Sequence, residues 1–152
     1  MFLKNYFLKE KIKQNSYFIW NNKNKDIQIV KKFKALDLSL IIGVDSQKEI
    51  LLNNTINFAK GNFTNNALLW GARGNGKSSL IKSVFDKALI KYKILKLIQL
   101  NKNNIFDIEY IYSILEKYYY YRFIIFIDDL SFEKIDSDYK IIKSTLDGSI
   151  QN

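Results

Sequence analysis

The sequence predicts an α/β fold in which a parallel sheet lies between helices. Three observations carry that expectation. Short apolar runs alternate with amphipathic segments of helical period. A glycine-rich stretch, Gly71 to Ser78, sits between one such run and one such helix. A second apolar run, Phe123 to Ile127, ends abruptly in two acids, Asp128 and Asp129.

The elements follow in order. Phe2, Leu3, Tyr6, Phe7 and Ile12 line one face of a short helix. SYFIW (16–20) and IQIV (27–30) are short strands separated by the polar loop NNKNKD. From Leu36 the texture changes, and LDLSLIIGVD closes on Gly43. DSQKEILLNNTINFAKG is a helix, with Asp45 as its cap, Ile50, Leu51, Ile56 and Phe58 as its apolar side, and Gly61 as its stop. NALLW (66–70) is a strand, and a helix runs from about Lys77 to Lys91. KILKLIQL (93–100) is a further strand, and residues 106–121 form an aromatic amphipathic helix. FIIFI (123–127) is a strand, and 136–148 is a last helix ending near Gly148.

Composition removes several kinds of chemistry. The chain has no cysteine and no histidine. Disulfides, thiolate nucleophiles, imidazole metal ligands and serine–histidine triads are therefore excluded. Acid–base work falls to carboxylates, lysine, tyrosine or water. The net charge is +9, but 22 of the 24 basic residues are lysine. Asn, Ile, Tyr and Phe are also abundant and proline is absent, a bias shared by residues with A/T-rich codons. The charge is uneven: residues 1–34 carry nine Lys against two acids, and residues 35–152 carry 15 basic against 13 acidic residues. Residues 1–34 thus form a basic lead-in, and 35–152 a nearly neutral domain. The lead-in packs as a solvated lysine-rich face; its alternative is contact with nucleic acid or an anionic surface. No apolar run reaches the roughly 20 residues of a membrane span, and the N-terminus lacks the apolar core of a signal peptide, so a cytoplasmic location is expected.

The chemistry sits in GARGNGKS, Gly71–Ser78, which matches the P-loop pattern G-x-x-x-x-G-K-[ST] in full. Gly71, Gly74 and Gly76 let the backbone turn tightly, and Ala72, Arg73 and Asn75 complete a loop whose N–H groups converge on phosphate. The following helix adds its N-terminal dipole. Lys77 reaches the outer phosphates and is a candidate catalytic cation. Ser78 offers its hydroxyl to Mg²⁺, and Ser79 bonds the innermost phosphate. A P-loop site also needs a metal-holding acid at the carboxyl end of a neighbouring strand, and Asp128 takes that place. Asp129 is the candidate catalytic carboxylate, with Glu133 as its rival. The Asn101-Lys102 pair is not a guanine motif, because Asn104 stands where that motif needs an aspartate.

The segments IIGVDSQKEILLNNTINFAKGNFTNNALLWGARGNGKSSLIK and FIIFIDDLSFEKIDSDYKIIKSTLDGSI resemble an uncharacterised bacterial family of AAA+ P-loop ATPases, known as a domain of unknown function. The resemblance spans roughly residues 36–150 and rests on GARGxGKSSL and DDLSFE occurring together. It implies ATP and Mg²⁺ as cofactors, Ile41, Ile42 and Gly43 beside the adenine, an ATPase (hydrolase) activity, a homo-oligomeric ring and an unidentified protein substrate. It also implies a three-layer α/β/α parallel sheet in the order 5-1-4-3-2, with Gly71–Ser78 as Walker A and Asp128–Asp129 as Walker B. In that order this chain supplies strands 1 to 3 and is incomplete at its C-terminus. NALLW and FIIFI are then expected either to pair directly or to face a gap, and hydrolysis by the isolated chain to be slow.

Overall fold

Asn21 decides where the first strand turns. Its side-chain oxygen accepts from the backbone N–H groups of Lys23 and Asn24, and Lys25 takes φ +47°. The result is a tight hairpin between Tyr17–Asn21 (β1) and Asp26–Ile29 (β2), paired antiparallel. The two strands expected on either side of NNKNKD are both present. The computed structural model describes residues 2–128.

Leu95–Asn101 (β3) runs parallel to β1 on one side and to Arg122–Asp128 (β4) on the other. The described sheet is therefore four-stranded, mixed, and ordered β2-β1-β3-β4. A wholly parallel sheet was expected; the hairpin of the lead-in makes it mixed. β3 is the central strand, and Leu95, Leu97, Ile98 and Leu100 are all buried. Burial on both faces explains its near-continuous apolar run, because helices cover parallel strands on either side.

Alternation sorts the core into two clusters. Phe18 and Trp20 of β1 and Ile98 and Leu100 of β3 face Ile12 of α1 (Phe2–Gln14) and Ile111 and Leu115 of α4 (Ile108–Leu115). On the other face, Leu95, Leu97 and Phe126 meet Phe85 and Ala88 of α3 (Lys77–Lys91) and Ala59 of α2 (Asp45–Ala59). Each large apolar side chain buried this way stabilises the fold by about 1.5–3 kcal/mol.

The amphipathic faces differ in detail from those read along the chain. In α1 the buried anchor is Ile12 with Leu8 packed beside it, whereas Tyr6 and Phe7 are exposed. In α2 the core face is Leu52, Thr55, Ile56 and Ala59; Ile50 points to solvent. Val44, not Asp45, is the cap residue of α2, and Asp45 lies in the first turn paired to Lys48 at 2.6 Å. A carboxylate there still favours the helix N-terminus. The expected helix 106–121 is shorter: 3₁₀ turns, Lys102–Asp107 and Glu116–Tyr118, flank α4.

One larger correction concerns NALLW. Residues 66–70 form no strand, and Trp70 is 85 % exposed. Direct pairing with FIIFI is not realised: β4 pairs with β3, and among the described residues nothing pairs with its outer edge. An apolar run becomes a strand only when a neighbour supplies its ladder hydrogen bonds, and among the described residues none does so. The helix expected at 136–148 lies outside the described residues. Among the described residues no helix is long and apolar enough to cross a membrane.

Two polar ties, one of them buried, fasten the lead-in to the rest of the fold. Lys96 of β3 is 2 % exposed; its ammonium donates to the Asn15 carbonyl at 2.7 Å and lies 4.8 Å from the centre of the Tyr121 ring. Asn15 follows the last residue of α1, so the cation sits at the negative end of that helix. Burial lowers the Lys96 pKa from its ordinary value. Asp107 accepts from Trp20 Nε1 at 2.8 Å and from Lys25 Nζ at 2.5 Å, locking the hairpin to the turn before α4. The Lys25 hydrogen bond, chiefly, holds the Asp107 carboxyl below the usual range.

Candidate phosphate-binding site

Gly76 adopts φ +74° and ψ 12°, a left-handed conformation that lets the chain turn from the loop into α3. Its carbonyl accepts the first helical hydrogen bond, from Leu80 N–H at 2.8 Å. The N–H groups at the start of α3 have no partner within the helix and face the loop side. Gly74, at φ +85°, reverses the chain within the loop, where the backbone N–H of Asn75 donates to Ala72. The six positions Gly71–Gly76 are solvent-exposed, whereas Lys77, Ser78 and Ser79 are half-buried at the helix start. The helix beginning at Lys77 agrees with the sequence expectation to the residue.

Two side chains define the site's electrostatics. Lys77 folds back over the loop, its ammonium donating to the carbonyls of Gly71 at 2.9 Å and Ala72 at 2.7 Å. Ser78 Oγ donates to Asp128 Oδ1 at 2.6 Å. Asp128 is the last residue of β4 and pairs in register with Asn101 at the end of β3. The two parallel strands thus end together at the N-terminus of α3, the edge of an α/β sheet where ligands bind. Lys77, Ser78 and Asp128 are brought together as oxygen and ammonium groups around one loop.

The other sequence-derived residues divide. Ile41, Ile42 and Gly43 follow a 3₁₀ turn, Leu38–Leu40, that packs on α3. Ile42 is 85 % exposed, Gly43 adopts φ +83°, and the Ile41 carbonyl accepts from Lys48 Nζ at 2.6 Å. None of the three hydrogen-bonds the loop. Asp129 and Glu133 lie outside the described residues. The buried Lys96 and the Asp107 tie escaped the sequence reading. The only hint of the first is a lysine interrupting the apolar run of KILKLIQL.

Residues 13–152 match the model of a family described as "Protein of unknown function (DUF815)". No curated protein and no solved structure matches the chain. The match takes in β1 and β2 together with the P-loop segment and β4, so the lead-in strands from Tyr17 onward fall within the same family region. The chain therefore belongs to the family described as protein of unknown function DUF815.

Proposed function

We propose that this chain is the nucleotide-binding part of an AAA+ P-loop ATPase, taking ATP with Mg²⁺ at Gly71–Ser79. The observation that carries the reading is the 2.6 Å hydrogen bond from Ser78 to Asp128, at the junction of a P-loop motif, a helix N-terminus and a parallel strand end. The donor set fits the cation. A serine hydroxyl and a carboxylate are hard oxygen ligands of the kind Mg²⁺ takes. The loop glycines fit the anion, because a positive-φ backbone lets successive N–H groups converge on it.

The roles follow from position. Lys77 leaves the Gly71 and Ala72 carbonyls and neutralises the outer phosphates. Ser78 and Asp128 would hold Mg²⁺, and the bound cation would offset charge on the transferred group. Asp129, one residue beyond the metal acid, orients the attacking water where the other elements of such an ATPase are supplied. Ile41–Gly43 closes over the base. Ring assembly on a protein substrate belongs to the same proposal.

The test is thermal stabilisation of the full chain by ATP and Mg²⁺. Stabilisation lost in both Lys77→Ala and Asp128→Ala supports the reading. A melting temperature indifferent to Mg-ATP in the unaltered chain overturns it.

A further inference from the structure

On the α3 face of the sheet lies a second cleft, of about 200 Å³. It is floored by Leu97 and Gln99 of β3 and walled by Phe33, with Lys32, Lys34 and Lys82 around it. Three lysines therefore meet at one concave surface from two separate elements. Lys32 and Lys34 are two residues apart in the segment after β2, which continues the hairpin through a Val30 N–H to Tyr17 carbonyl bond of 3.0 Å. Lys82 comes from α3.

Positive charge is in excess at this cleft. No carboxylate lines it. The three ion pairs among the described residues use Lys11, Lys25 and Lys48, and none of the three cleft lysines makes a hydrogen bond or ion pair. One acid stands nearby: Asp86, on the next turn of α3, accepts from the hydroxyl of Tyr17, whose ring is stacked on Phe33, and it offsets only one of the three lysines. The half-buried amide of Gln99 is likewise without a hydrogen-bond partner. Like charges gathered over a low-dielectric floor repel one another and attract an anion more strongly than dispersed charges do.

We propose that this cleft binds a small molecule carrying two or more phosphate groups. The lysines supply point charges for the phosphates, Gln99 supplies a directional donor, and Phe33 and Leu97 supply apolar contact. A compact ligand fits better than a nucleic-acid strand, because the cations converge on one hollow. The site is distinct from the P-loop but close to it. Lys82 is four residues after Ser78 on α3, hence on the same side and about 6 Å further along the axis. The inference does not depend on nucleotide binding at Gly71–Ser79.

The experiment uses the full chain carrying Lys77→Ala, which removes the P-loop cation, so failure of the P-loop reading leaves it intact. Sodium tripolyphosphate is titrated at low ionic strength and followed by amide NMR. The Gln99 side-chain amide and the backbone amides of 32–34 are expected to shift saturably at one site. Combined Lys32→Gln, Lys34→Gln and Lys82→Gln weakens that binding by about tenfold or more, given the usual strength of charged hydrogen bonds. Combined Lys9→Gln, Lys93→Gln and Lys117→Gln removes equal charge elsewhere and changes affinity by no more than about twofold, as remote exposed charges are screened. Absence of a saturable shift at the cleft, or equal weakening by both triple variants, overturns the proposal. So does tighter binding of a short oligothymidylate than of tripolyphosphate, which would assign the lysines to a nucleic-acid strand.

Discussion

Ser78 and Asp128, fifty residues apart, share a 2.6 Å hydrogen bond from hydroxyl to carboxylate. One lies in the first turn of a helix and the other on β4, so the bond exists only because α3 packs across the sheet with its N-terminus level with Asp128. On the proposed reading, these two side chains would hold Mg²⁺, with Ser78 supplying a hydroxyl oxygen and Asp128 a carboxylate oxygen. Ser78→Ala is therefore expected to abolish Mg²⁺-dependent stabilisation by ATP while leaving part of the Mg²⁺-independent stabilisation. A saturating ligand at a hundredfold its Kd stabilises by about 2.7 kcal/mol. Thermal melts with ATP, with and without Mg²⁺, check this; an unchanged Mg²⁺ increment in the variant refutes it.

Lys96 makes stability depend on alkaline pH. Its folded pKa lies below the unfolded value of 10.5, so over the interval between the two the unfolded chain binds more protons. Stability owed to this group therefore rises with pH through that interval, as the buried charge is shed. In Lys96→Met the rise is absent. The stability of the variant relative to the unaltered chain should fall as pH rises through that interval toward 10.5. Tyr17, Tyr112 and Tyr118, whose pKa values are raised chiefly by burial, are common to both chains and cancel in the difference. Urea denaturation of both proteins across the range measures it; parallel pH profiles would contradict the assignment.

Gly61 ends α2 at φ +85°, and a Cβ added there would lie 2.8 Å from Arg122 Nη2. The main cost is a left-handed backbone for an L-residue; the guanidinium, the far end of a flexible side chain, must also swing aside. Gly61→Ala is expected to destabilise by about 1–2 kcal/mol. Gly43, also at positive φ but with open space around its Cβ direction, should tolerate alanine with the backbone cost alone. Denaturant midpoints of the two variants give the comparison.

The two tryptophans report on opposite environments. Trp20 is buried in the core and bonded to Asp107, whereas Trp70 is exposed beside Gly71. Trp20→Phe should leave red-shifted, iodide-quenchable emission, and Trp70→Phe blue-shifted, protected emission. Hydrogen exchange should agree, with amides of 66–70 exchanging fast and those of 97–100 in β3 slowly. Protected emission from Trp70 would place 66–70 in a paired strand after all.

The core makes the last prediction. Ile98→Ala, at the centre of the sheet, is expected to cost about 2–5 kcal/mol, and Ile42→Ala, on the surface, within about 0.5 kcal/mol. Equilibrium unfolding in urea separates them.

Much of the fold was legible because its signals are local. The alternation in SYFIW and IQIV marked β1 and β2, the 3.6-residue period marked α2 and α3, and apolar continuity marked β3 and β4. The P-loop pattern located the start of α3 to the residue, since glycine spacing and a following helix are both written in consecutive positions. NALLW misled for the opposite reason. Its apolar run is as strand-like as FIIFI, yet a strand depends on a neighbour's backbone, and sequence pattern carries no record of which neighbour is present. The same limit hid Lys96, whose partner Asn15 is 81 residues away.

The sequence by itself determined the chemical vocabulary: no thiol or imidazole chemistry, a glycine-rich loop of P-loop pattern at Gly71–Ser78, and an acid closing an apolar run at Asp128. Periodicity and residue type suffice for that, being properties of neighbours along the chain. Only the tertiary structure decided that the basic lead-in supplies two strands of the sheet, that β3 stands between β1 and β4, and that Ser78 meets Asp128. Those relations are set by hydrogen-bond pairing and burial between distant segments, where the free energy is gained only once the chain has come together.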